Sequence, residues 1–121
     1  MKTNALIHIV GIKCTPEGQD KVDAWYSEKH VPDLLKFKGI KGVTRYKVVS
    51  AAAEPSVGKA SAEENPTFVT IYEFENYKDF EAYNVSPELE YARQDSAKIL
   101  KETGTRLLWR VQCEVLKAWE R

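Results

Sequence analysis

Two cysteines, two histidines and one methionine are the only soft or imidazole ligands in 121 residues, and they are scattered. Cys14 and Cys113 form no CxxC pair, and His8 and His30 both fall in the first quarter of the chain. That distribution matches no zinc pattern, so no bound metal is expected. Surplus charge is also missing: eighteen Lys and Arg balance eighteen Asp and Glu. Proteins that bind nucleic acid or anionic membranes show a basic excess or stripe, so neither partner is expected. The N-terminal apolar run, Ala5 to Val10, is six residues long. A bilayer span needs roughly twenty, and a secretion signal needs a longer core with a cleavage site. The two thiols are therefore expected to be reduced, small buried hydrophobes in a cytoplasmic protein. There is no glycine-rich phosphate loop, nucleophile elbow or serine triad.

What is present is ample material for one core. Hydrophobic residues make up 43% and aromatics 11%, which excludes wholesale disorder. A chain of this length reads as a single domain, 1–121, able to bury roughly two thirds of its unfolded surface. Residues 5–12 form a β-branched, almost continuous apolar strand. Thr15-Pro16-Glu17 then starts a helix whose inner face carries Val22, Trp25, Tyr26 and His30. Pro32 requires that helix to break or step near Val31, with an irregular last turn ending near Gly39. Residues 40–49 and 67–75 read as further strands, separated by a surface loop at 50–66 without apolar period. Asn76 caps a third-quarter helix, Ser86-Pro87-Glu88 restarts it, and Gly104 ends it. A long strand at 105–119 closes the chain.

Strand, helix, strand, strand, helix, strand with right-handed crossovers gives an α+β sandwich of the ferredoxin-like βαββαβ type. Two helices cover one face of a four-stranded antiparallel sheet. The other face should alternate with polar residues if it met water, and it does not. Ile7 and Ile9 oppose Leu6, Val10 and Ile12; Val69 and Ile71 oppose Phe68, Tyr72 and Phe74; strand four places Leu107, Trp109, Val111, Cys113 and Val115 on one parity. Leaving such side chains wet forfeits roughly 1.5–3 kcal/mol each. A second copy of the sheet is the simplest cover, and a fold-over of the long loop or C-terminus the alternative.

The stretch Trp25-Tyr26-Ser27-Glu28-Lys29-His30-Val31-Pro32-Asp33-Leu34-Leu35, followed by Gly39 and Arg45-Tyr46, resembles the ethyl tert-butyl ether degradation (EthD-like) branch of the dimeric α/β-barrel superfamily. The resemblance implies a homodimer whose sheets pair into a barrel, with an apolar pocket between sheet and helices in each subunit. It also implies chemistry of the cofactor-free cyclase, isomerase or monooxygenase kind. In the plant cyclase-like branch a Tyr and a His near an x-Pro step act as acid and base; here Tyr83 precedes Ser86-Pro87, but the histidine position holds Leu89. The axial histidine of the haem-degrading members has no counterpart either.

His30 is the leading catalytic candidate, because an imidazole exchanges protons near neutrality; Tyr26, one turn earlier, is its companion. The competing reading makes His30 a cap for the helix's terminal carbonyls. His8, among Leu, Ile and Val, needs a buried partner, with Tyr72 or Thr70 the candidates, and reads as a core or interface residue or as part of the pocket. Trp25, Tyr46, Tyr72 and Tyr83 complete the expected substrate-binding set, the tyrosines doubling as core aromatics. Arg110, Gln112 and Glu114 share one face of strand four, where they would bind a polar group or pair across the dimer. The expected function is a cofactor-free enzyme acting on a small hydrophobic carbonyl or aromatic compound by His-mediated proton transfer. A non-catalytic small-molecule binder is the alternative, and a haem-handling protein stands behind both.

Overall fold

The computed structural model describes residues 5–49 and 65–121. Of the surface loop expected at 50–66, residues 50–64 lie outside the described residues. Four strands, β1 (Leu6–Lys13), β2 (Ile40–Lys47), β3 (Phe68–Phe74) and β4 (Arg106–Glu114), form one antiparallel sheet in the order β2-β3-β1-β4. The helices, α1 (Gln19–Trp25), α2 (Val31–Leu34), α3 (Tyr77–Asn84) and α4 (Pro87–Thr103), follow β1 and β3. This is the ferredoxin-like α+β arrangement that the element order implies.

Local chemistry sets most boundaries. Thr15 Oγ1 accepts from the Gly18 N–H at 3.0 Å, one turn before α1 is regular. Asn76 Oδ1 accepts from the Asp79 N–H at 3.0 Å, and Ser86 Oγ from the Leu89 N–H at 3.2 Å, with Pro87 at the first helical position. Gly104 ends α4 at φ 68°, the left-handed conformation that leaves its N–H to bond the Leu100 carbonyl. Gly104→Ala is expected to destabilise the fold by about 1 kcal/mol, read as a lowered urea midpoint with unchanged slope.

Pro32 does not break the first helix. The chain steps through a single π turn, Tyr26–His30, in which the Val31 N–H reaches back five residues to the Tyr26 carbonyl. The helix then continues to Leu34. Such insertions add a residue to one turn and so rotate the side chains that follow about the helix axis.

Cross-strand register assigns the faces. Leu6, His8, Val10 and Ile12 of β1 face the helices together with Phe68, Thr70, Tyr72 and Phe74 of β3, which pair with them or lie beside them. Leu6, Leu34, Tyr72, Phe74, Phe80 and Tyr83 form the main core, and Ile12, Val22, Tyr26 and Phe68 a second cluster. The opposite face carries Ile7, Ile9, Val69 and Ile71, none of them fully buried. Between Gly11 and Ile12 the β1–β4 register shifts by one residue: Gly11 faces Trp109, but Ile12 faces Leu107. Leu107 therefore turns to the helix side, whereas Trp109, Val111 and Cys113 occupy the outer face. That corrects the single parity expected for strand four.

A side chain at Gly11 would come within 2.8 Å of the Trp109 ring, so the glycine is what lets the indole lie against the sheet. Cys113 is exposed, contrary to the buried thiol expected; Cys14 is buried. The last strand is also shorter than expected. It ends at Glu114, with one further bond from the Val115 N–H to the Ala5 carbonyl, and Leu116 and Trp119 are exposed.

Candidate functional site

Between the β1–β4 half of the sheet and the helices lies a cavity of about 490 Å³. Its floor is His8, Val10, Ile12 and Tyr72; α3 supplies Phe80 and Tyr83. Trp25, Tyr26 and His30 of the first helical region and Arg93, Arg110 and Gln112 of α4 and β4 also line it. Six of the seven residues expected at the site, His30, Tyr26, Trp25, His8, Tyr72 and Tyr83, thus line one chamber. Tyr46 does not. It pairs with Val69 on the outer face and is half-exposed, because the register of β2 shifts between Ile40 and Gly42 and places Arg45 inward instead.

The π turn is held from two sides. Trp25 Nε1 donates to Asp95 Oδ2 of α4 at 2.7 Å, which fixes the indole, and His30 stacks on it with centroids 4.6 Å apart and planes 26° off parallel. Arg45 Nη1 donates to Asp23 Oδ1 at 2.7 Å and to Ser27 Oγ, while its guanidinium lies 4.7 Å from the Tyr26 ring and 4.9 Å from Phe68. Sandwiched in this way, Arg45 ties β2 to the helix just where the turn widens.

His30 lies within the helix, four residues before its end, so it does not cap the terminal carbonyls. Its Nδ1 is buried without a hydrogen-bond partner among the described residues. Burial lowers its pKa to about 4, against the opposing pull of Asp95 and Asp33. The ring is therefore neutral at pH 7. Edge-on to it, at 4.8 Å between centroids, sits Tyr26. The Tyr26 and Tyr72 hydroxyls share a buried hydrogen bond of 3.0 Å. Desolvation pushes both phenols up, so they remain protonated donors.

His8 finds neither of its expected partners. Its Nδ1 meets Gln112 Nε2 at 3.0 Å, and because an amide nitrogen only donates, Nδ1 accepts and the ring proton sits on Nε2. Tyr72 and Phe80 pack against the ring at 5.5 and 5.1 Å. Burial, then the Arg110 charge, lowers the His8 pKa to about 4. Tyr83 is also raised by burial, with Arg93 and Arg110 pulling the other way.

Arg93 is a lining residue that the sequence analysis did not single out. A signal was there: Leu89, Arg93, Ser96 and Leu100 follow a 4-3-4 spacing, one stripe of α4, and all four line the cavity. Among the described residues no group of three or more His, Cys, Asp or Glu is placed to hold a metal ion. No helix among them is long and apolar enough to cross a membrane.

Comparison with solved structures returns the same fold. An ethyl tert-butyl ether degradation family protein from Bacillus halodurans C-125 superposes with a TM-score of 0.65 at 16% identity, covering 92% of this chain and 99% of that one. SnoaB, a cofactor-independent oxygenase from Streptomyces nogalater, gives 0.57 at 9% identity, covering 97% and 96%. A dimeric ferredoxin-like protein of unknown function from Thermobifida fusca YX gives 0.55 at 18%, covering 95% and 92%. At these identities the likeness is one of fold. No curated protein matches the chain significantly. Residues 5–108 match the family described as "Domain of unknown function (DUF4286)", and the chain belongs to that family.

Proposed function

We propose that this protein is a cofactor-free enzyme that moves a proton on a small hydrophobic carbonyl or aromatic compound, with His30 as the base. The observation that carries this reading is His30 itself, a neutral imidazole that a π turn sets in the wall of an aromatic cavity. A neutral imidazole there accepts a proton from a carbon or oxygen acid in the chamber. In the Tyr26–Tyr72 pair one phenol donates to the other, which leaves the second proton for an oxygen of the substrate. Trp25, His8, Tyr72 and Tyr83 would hold the apolar body. The similarity in fold to a cofactor-independent oxygenase is in keeping with chemistry done by side chains alone.

The second element of the proposal is a homodimer formed through the outer sheet face. Trp109 and Val111, 37% and 43% exposed, form an apolar surface with Ile7, Ile9, Val69 and Ile71 that no helix among the described residues covers. The dimeric ferredoxin-like neighbour supports it.

A neutral aromatic carbon acid, 5-nitrobenzisoxazole, tests the base. Removal of its C–H proton breaks the ring N–O bond and releases a coloured cyanophenolate, so the rate is read by absorbance. The protein is expected to accelerate this reaction, and His30→Ala to slow it by about 100-fold with the melting temperature nearly unchanged. Only the neutral imidazole works, so the rate should rise as pH climbs through about 4 and stay level towards neutrality. Equal rates in the two proteins would refute the assignment.

A further inference from the structure

Proton transfer by His30 leaves two charges in the chamber unused. Arg93 of α4 and Arg110 of β4 both line it, and both lie within electrostatic reach of the Tyr83 phenol. Their side chains are solvent-exposed, so they stand at the rim. Arg93 Nη2 has a long contact, 3.4 Å, with Asn84 Oδ1. Among the described residues neither guanidinium has a carboxylate within ion-pair distance. Arg45 differs: it is turned to Asp23 and engaged in holding the helix.

The asymmetry is larger than two side chains. The chain balances eighteen basic groups with eighteen acidic ones, yet the described lining of the cavity has two arginines and neither an aspartate nor a glutamate. Both histidines there are neutral at pH 7, so nothing in the wall offsets the arginines. Around them the other polar groups include the Tyr83 and Ser96 hydroxyls and the Asn84 and Gln112 amides, all able to donate. Behind them lie the Tyr72, Phe80 and Tyr83 rings.

We propose that the compound bound in this cavity is an organic anion: a small aromatic molecule whose carboxylate is held by Arg93 and Arg110. The ring packs among Tyr72, Phe80 and Tyr83, and the carboxylate sits at the rim, where guanidinium groups bond it in a plane. The volume suits a molecule of one or two rings. The inference rests on the cavity being the substrate site, and it adds what the substrate must carry.

Two probes of one shape separate charge from size. By titration calorimetry, 1-naphthoate is expected to bind about 10-fold or more tightly than neutral 1-naphthamide. Arg93→Gln and Arg110→Gln should each weaken naphthoate about 10-fold and leave naphthamide unmoved. A spectroscopic readout accompanies them: in NMR titrations, naphthoate should raise the His8 midpoint from about 4, and Arg110→Gln should raise it without ligand, since the Arg110 charge is one of its causes. Equal affinities for the two probes, no naphthoate binding at millimolar concentration, or naphthoate binding that survives the double variant would each overturn the proposal. None of these bears on the neutral benzisoxazole, so the base at His30 stands or falls by its own assay.

Discussion

Acidification from about pH 7 to about pH 4 is expected to remove about 3 kcal/mol of folding stability through each of His8 and His30. In the unfolded chain a histidine takes up its proton near its ordinary value of 6.5; in the fold burial holds both down to about 4. Between those limits the unfolded state binds more protons, so stability is full above 6.5 and falls as pH drops through the window. Below about 4 the folded rings protonate as well and the loss levels off. Arg110 reinforces the effect at His8, whereas Asp95 and Asp33 blunt it at His30. Urea denaturation at a series of pH values reads the slope. His8→Gln keeps a partner for Gln112 and removes the titration, so its slope should be visibly shallower. A wild-type curve flat across the window, or an unchanged slope in the variant, would show that the rings are not held neutral by the fold.

Ile9→Lys combined with Val111→Lys is expected to convert the proposed dimer into a folded monomer. The two residues are direct partners across β1 and β4 on the outer face. Each apolar side chain withdrawn from water there is worth roughly 1.5–3 kcal/mol, and two buried, unpaired ammonium groups per protomer would cost more than that contact returns. Sedimentation at micromolar concentration should give twice 13.8 kDa for the wild type and 13.8 kDa for the variant, with the far-ultraviolet circular dichroism unchanged. A wild type that sediments as a single chain, or a variant that still pairs, would remove the sheet-face dimer.

Element starts and stops were legible because they are written in short-range chemistry. Asn76, Ser86-Pro87 and Gly104 act within three or four residues of themselves, and each does in the fold what its side chain implies. The pocket set was legible for a similar reason: Trp25, Tyr26 and His30 share a helix face, and the parity of β1 and β3 puts His8 and Tyr72 beneath it. Pro32 announced a disturbance without saying which. The partners that flank the widened turn, Asp95 and Arg45, arrive from α4 and β2, far away in the chain.

Tyr46 was misplaced because the face of a strand residue depends on register, and β2 slips by one near Gly42. A glycine inside a strand is the local mark of such slips, and both Gly11 and Gly42 stand beside one. Arg93 escaped because a charged residue on an amphipathic helix reads as solvent-facing unless its stripe is traced through Leu89, Ser96 and Leu100.

The slip beside Gly11 has a wider meaning for β4. Beyond it the strand runs half a period out of phase with its own beginning, so one ribbon furnishes two rooms: Leu107, Arg110 and Gln112 enter the chamber, and Trp109 and Val111 clothe the outside. An evenly pleated ribbon starting from the same Leu107 would have sent the guanidinium and the amide outward and the indole inward. The proposed greasy contact with a twin and the proposed charged contact with a ligand therefore both hang on a single surplus residue.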